Sequence, residues 1–228
     1  MNNIHTGGLK VGRTEEVKLD NKTKAEIVAE SCMQLIPGVG SVLASLYFGT
    51  KQAKEFARLE RFYHELAKEL ETLKEHILKV EEQCSDEYIS LIEKLNDKVE
   101  KEHQEAKIIA YKNFMKQLLF TRTTSQNYDE RKVYLELLDT LTLLDIETLI
   151  FLYKNRHEDQ RGKRLVKVGE LNKPNTLKYA IVGSIYKLKI NGLIEAYTYD
   201  LAAGADNSLN ECVCVSDYGV NFIKFCLE

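Results

Sequence analysis

The sequence predicts a mostly α protein: a long helical hairpin or coiled-coil bundle followed by a small α+β domain. Three observations carry that expectation. Between Gly49 and Gly162 there is neither a glycine nor a proline, a span that strands and tight turns would not leave without breakers. Within it, apolar residues recur at alternating steps of three and four, the period of a helix face. Beyond residue 141 the pattern changes to short helices and two β-branched, aromatic runs around a loop of small residues.

A chain of 228 residues has room for two domains. Its 44% hydrophobic and 29% charged residues suit a globular protein with long solvated helices. The net charge of −3 gives no overall bias toward nucleic acid or anionic lipid, so any basic surface must be local. Cys32, Cys84, Cys212, Cys214 and Cys226 form no CxxC pair and have no histidine at metal-ligand spacing. They read as reduced thiols of a cytoplasmic protein with no metal and no cofactor. The start, MNNIHTGGLKVGRTEE, lacks the apolar run of a secretory signal, and residues 1–22 read as a flexible arm.

Residues 23–141 are the expected helical domain. The seam runs through Leu59, Phe62, Leu66, Leu70, Leu73, Ile77 and Val80, then Tyr88, Leu91, Leu95, Val99, Ala106, Ala110, Phe114 and Gln117. Two arrangements fit it. A hairpin would turn near Cys84–Asp86, with Ser85 as N-cap and Asp86 and Glu87 in the first turn. A single rod would run for roughly 120 Å and need a partner along its length. The extra apolar residues Tyr63, Ile89, Ile92, Ile108, Ile109 and Met115 widen the stripe beyond a two-stranded seam and favour the hairpin. Self-association through these long helices, as a homo-oligomer, is expected.

Ahead of the seam, Ser31–Thr50 carries no charge. Pro37 and Gly38 divide it, leaving neither part long enough for a hydrocarbon core of about 30 Å. After the break, Val39, Val42, Leu43, Leu46 and Tyr47 share one face, opposite Gly40, Ser41, Ala44 and Ser45. The first reading is a helical hairpin tip with small residues at a close crossing. The alternative is a triggered membrane element at Pro37, Gly38, Val39, Val42, Leu43 and Leu46, as in a membrane-perturbing effector.

Residues 142–228 are the second expected domain. DIETLIFLYKN is a short helix, RHEDQRGKRLVKVGELNKPN a basic connection, and NTLKYAIVGSIYKLKINGLI an amphipathic helix closed by Asn191 and Gly192. LIEAYTY and ECVCVS read as strands around DLAAGADNSLN, and DYGVNFIKFCL as a final helix. This order, with the phrases NGLIEAY and VSDYGVNFIKF, resembles a winged-helix domain. The resemblance implies a recognition helix and a wing that meet DNA or dock a protein. The hairpin, stem and winged-helix layout is also loosely similar to small bacterial proteins of mobile elements and phage defence.

From Lys154 to Lys189 there are ten basic residues against three acidic ones, a local excess of seven positive charges. Arg161, Lys163, Arg164, Lys167 and Lys173 supply phosphate-contacting charge. On the helix, Leu177, Ile181, Ile185 and Leu188 should face the core, turning Asn175, Lys178, Tyr179, Tyr186 and Lys189 toward solvent or a major groove. The wing opposes this: it has no Lys or Arg and carries Asp200 and Asp206. DNA and a protein partner both stay open.

Enzymatic chemistry finds no constellation. Lys68 stands where a zinc-binding helix beginning at His64 would need its second histidine, and His76 and His103 lie within heptad-patterned helices. The glycines at 38 and 40 lack the Lys-Ser/Thr of a phosphate loop. Cys212 and Cys214 alternate along a strand and should share its core face. The expectation is a non-enzymatic nucleic-acid-binding or regulatory protein, with a membrane effector of anti-phage defence or a protein-docking scaffold as alternatives.

Overall fold

A computed structural model describes residue 36, residues 53–78, 85–155 and 165–198, residue 203 and residues 206–228. Among the described residues, four helices of similar length lead the order: α1 (Ala53–Glu71), α2 (Asp86–Lys101), α3 (Glu105–Phe120) and α4 (Ser125–Thr140). Ser85 caps α2 as the sequence suggests, its side chain accepting from the Tyr88 amide at 3.2 Å. Helices α1 and α2 pair antiparallel. Arg58 donates to the Glu100 carbonyl, and deeper in, the Tyr63 hydroxyl donates to Asn96 Oδ1 at 2.6 Å. The hairpin is therefore the arrangement formed, with Leu59, Phe62, Leu66, Leu70, Leu91, Leu95 and Val99 buried inside the chain.

The second arm is not one long helix. It breaks at Glu102–Gln104, where no glycine or proline marks a stop. Glu102 turns extended, and its carboxylate accepts from the amides of His103 at 2.7 Å and Gln104 at 2.8 Å. A side chain thus satisfies amides that a continuing helix would have bonded. Beyond the break Ala106, in the first turn of α3, is exposed and Gln117 is only half-buried, while Ala110 and Phe114 keep their expected seam positions in the core. Charge then ties α3 to α1, with Lys112 bridging Glu65 at 3.1 Å and Glu69 at 3.0 Å, and Lys116 reaching Glu69 at 3.1 Å.

After Leu141 the chain enters α5 (Leu143–Lys154), β1 (Val166–Lys167), α6 (Lys178–Ile190), β2 (Ile194–Tyr197), β3 (Cys212–Val215) and α7 (Asp217–Cys226). The sheet is antiparallel in the order β1-β3-β2. Both expected strands form. The third, β1, lies in what reads from sequence as a connection, because two residues are too few for a period. Val213 is fully buried, whereas Cys212 and Cys214 are only half-buried, so the cysteines take the outer face rather than the expected core face.

α7 packs back on α3 and α4. Phe225 meets Phe114 edge-on at 5.3 Å, and Tyr134 gathers Tyr218, Phe222 and Phe225 at 5.4–5.7 Å. The stretch from Ser216 to Phe222 shows how. Ser216 accepts from the Gly219 amide at 2.9 Å and donates to the Gly192 carbonyl at 2.6 Å. A Cβ at Gly219 would stand 2.0 Å from the Leu193 carbonyl oxygen, so only glycine lets the first turn of α7 seat there. Phe222, one turn later, is fully buried. Both parts of the chain share one core, joined also by Ile36.

Phe222→Ala is expected to destabilise the protein by about 3–5 kcal/mol. Because the core is continuous, chemical denaturation followed by far-UV and aromatic signals should move as one transition rather than two.

Candidate functional site

Helix α6 starts at Lys178, after Leu177 in extended conformation, and ends at Asn191 and at Gly192, whose φ is +71°. Ile181, Ile185 and Leu188 face the core as the pattern requires. Leu177 does not, being 83% exposed. It precedes the helix, so the four-residue step to Ile181 places the two on no common face. Outward, Tyr179, Tyr186 and Ile190 are 60%, 63% and 64% exposed. Between them Gly183 is exposed, and a Cβ built on it would meet nothing within 4 Å.

The cations around this helix are largely engaged within the chain. Lys173 pairs with Glu147. Lys178, expected toward solvent or a groove, is half-buried instead: its ammonium donates to the Gly169 carbonyl at 3.0 Å and to that of Leu171, tying the helix start to the 3-10 turn Val168–Glu170. Lys187 reaches the Thr140 carbonyl at 2.6 Å and Asp145 at 3.0 Å, and Lys189 pairs with Glu211 at 2.9 Å. The Tyr179 hydroxyl donates to Asp206 of the hairpin loop at 3.0 Å. Lys167 is exposed on edge strand β1, and Asn175 is exposed with φ +58°. Arg161, Lys163 and Arg164 lie outside the described residues, as do Pro37, Gly38, Val39, Val42, Leu43 and Leu46.

The acids that hold these lysines come from two distant places, Asp145 and Glu147 from α5 and Glu211 from just before β3, and no spacing in the sequence announces them. Ile190 is different. It follows Tyr186 by four residues and belongs to the outward stripe by period alone.

Beside α6, Leu144, Thr148, Phe151, Leu171, Pro174 and Ile181 line a pocket of about 240 Å³ with Glu147 and Lys173 also at its wall. Its lining suits an apolar side chain. Between α2 and α4 a second depression holds four lysines, Lys94, Lys98, Lys101 and Lys132, against Asp97, Glu136 and Asp139, so its charge is nearly compensated. His64, His76 and His103 are exposed. Among the described residues no group of His, Cys, Asp and Glu is placed to hold a metal ion, and no helix is long and apolar enough to cross a membrane. Burial pushes the Cys226 thiol well up.

Asp145 positions α6 relative to the bundle. Its carboxylate accepts from the Thr142 amide at 2.8 Å, its own amide donates to Thr142 Oγ1 at 3.3 Å, and it pairs with Lys187. Burial opposes its ionisation, yet the Thr142 amide and Lys187 hold the carboxyl below its ordinary value.

No protein-family model matches the chain, and neither a curated protein nor a solved structure matches it significantly.

Replacing Asp145 with Ala should cost about 1–2 kcal/mol near neutral pH, as loss of a capping group does. Because the folded carboxyl is depressed, its contribution is complete above the unfolded value of about 3.9 and is lost as pH falls through the lower folded value. Urea midpoints of wild type and Asp145→Ala should therefore differ from neutrality down to about pH 5 and converge in stronger acid.

Proposed function

We propose that this chain is a non-enzymatic regulatory protein whose C-terminal α+β unit docks a protein partner on the outward face of α6. The carrying observation is that this face exposes Tyr179, Tyr186 and Ile190 while the part-buried Lys178 and Lys187 and the exposed Lys189 are each paired with groups of the same chain. A phosphate backbone is held by cations that exchange counterions for phosphate. Here the lysines of α6 would first have to leave carbonyls and carboxylates, and Asp206 would repel the strand beside Tyr179. Tyrosine with flanking aliphatic surface is instead the composition that anchors protein interfaces. The element order accords with the winged-helix resemblance, which suits a protein partner as well as DNA: helix α5, strand β1, helix α6, the β2–β3 hairpin and helix α7 follow in order, with β1 beside β3.

A nucleic-acid reading is favoured by one feature, exposed Lys167 on edge strand β1, which follows Arg161, Lys163 and Arg164 in sequence. Polarisation titrations of labelled duplex and single strand at low salt separate the two. Docking to protein predicts no saturable binding. Binding that weakens with salt and disappears in Lys167→Glu overturns it. In the native host, proximity labelling should enrich proteins whose recovery falls about tenfold in Tyr179→Ser and Tyr186→Ser, with the thermal midpoint unchanged.

A further inference from the structure

We infer that the occupant of the α6 face is a second copy of this chain, with the two α6 helices packed antiparallel about a two-fold axis. The inference rests on the docking reading above and names its partner. The outward stripe is Tyr179, Gly183, Tyr186 and Ile190, spaced four, three and four. That spacing reads the same in both directions. About a point midway between Gly183 and Tyr186, an antiparallel copy sets Tyr179 opposite Ile190 and Tyr186 opposite Gly183. The large ring then meets the position where a Cβ would touch nothing within 4 Å, so a bulge enters a notch twice over. Self-complementarity of this kind is what a two-fold interface requires of one surface.

Charge selects the same orientation. Asp206 sits at the tip of Tyr179, at the N-terminal end of α6, where it accepts from Tyr179 and Ser208 and has no cation partner among the described residues. Lys187 and Lys189 lie in the last turn. Those lysines are already paired with Asp145 and Glu211, so the orientation is set by Asp206: antiparallel packing holds the two Asp206 residues at opposite ends and opposes the two helix dipoles favourably. Parallel packing would set Asp206 against Asp206 and Tyr186 on Tyr186. Two helices of 13 residues bury less than the roughly 1,200–2,000 Å² of a standard interface. The dimer is therefore concentration-dependent rather than permanent.

Sedimentation velocity on the full chain, from about one to several hundred micromolar, tests this. A monomer–dimer equilibrium is expected, weakened at least about tenfold by Tyr186→Glu and by Gly183→Leu. Gly183→Leu is the sharper variant. Its Cβ meets nothing within 4 Å, its side chain starts from an exposed position, and it replaces a poor helix former, so the thermal midpoint should hold or rise while the dimer is lost. Mixing Tyr179→Cys with Ile190→Cys copies should yield a heterodimeric disulfide beyond the background of either alone. A chain monomeric at every concentration, or a dimer indifferent to both Gly183→Leu and Tyr186→Glu, overturns the inference. If the chain is monomeric while partner labelling still depends on Tyr186, only the occupant is wrong. If labelling is also indifferent to Tyr179 and Tyr186, the docking reading fails with it.

Discussion

The guanidinium of Arg131 is buried with no carboxylate among its hydrogen-bond acceptors, and much of the fold is arranged to make that tolerable. One nitrogen donates to the Thr121 carbonyl at 3.1 Å and to Thr123 Oγ1 at 2.7 Å, the other to Thr121 Oγ1 at 2.8 Å. The ring of Phe225 lies 5.4 Å from its central carbon. Burial lowers its pKa, and Glu130 opposes that. An unpaired buried charge costs far more than one hydrogen bond returns, so every element supplying a partner is held where it is. The polar turn between α3 and α4 supplies three acceptors. α7 supplies the π-face.

That constraint reaches α6. With Phe225 over Arg131 and Phe222 against Tyr134, α7 lies on the bundle, and Ser216 at its start bonds the Gly192 carbonyl where α6 ends. Asp145 and Lys187 tether the other side of the same helix to the head of α5. The outward stripe is thus presented by a helix fixed at two points, and a rigid face loses little conformational entropy on docking. A polar contact in the core of the first hairpin, Tyr63 with Asn96, leaves Asn96 Nδ2 without a partner among the described residues. A lone buried amide of this sort sets register in helical pairs at a cost in stability.

Periodicity was a good guide where one helix face meets one core. The hairpin, the Ser85 cap, both strands, the α7 segment and the Asn191–Gly192 stop were all legible, because each depends on residues within a turn or two. The break at Glu102 was not, since the carboxylate that caps it is of a type common throughout the helices. Lys178 was misread for a related reason: helical period places a Cβ, but where a long ammonium ends depends on carbonyls supplied by another segment. Counting charge from Lys154 to Lys189 likewise gave a large excess, yet the acids that answer it, Asp145, Glu147 and Glu211, lie outside that window. The motif from Ser216 to Phe222 was legible as a pattern, and only the 2.0 Å approach to Leu193 explains its glycine.

The contact of Phe114 with Phe225 joins residues about 110 positions apart, unusually non-local for a helical protein. The first four helices can form their turns early from neighbouring residues, but Phe114, Tyr134 and Arg131 stay uncovered until the sheet has formed and α7 has arrived. Folding then waits on a long loop closure rather than on helix growth, which sets its rate nearer that of mixed α/β domains than of simple bundles. During that wait the exposed aromatic surface of α3 and α4 is the place where a half-folded chain is most open to wrong association.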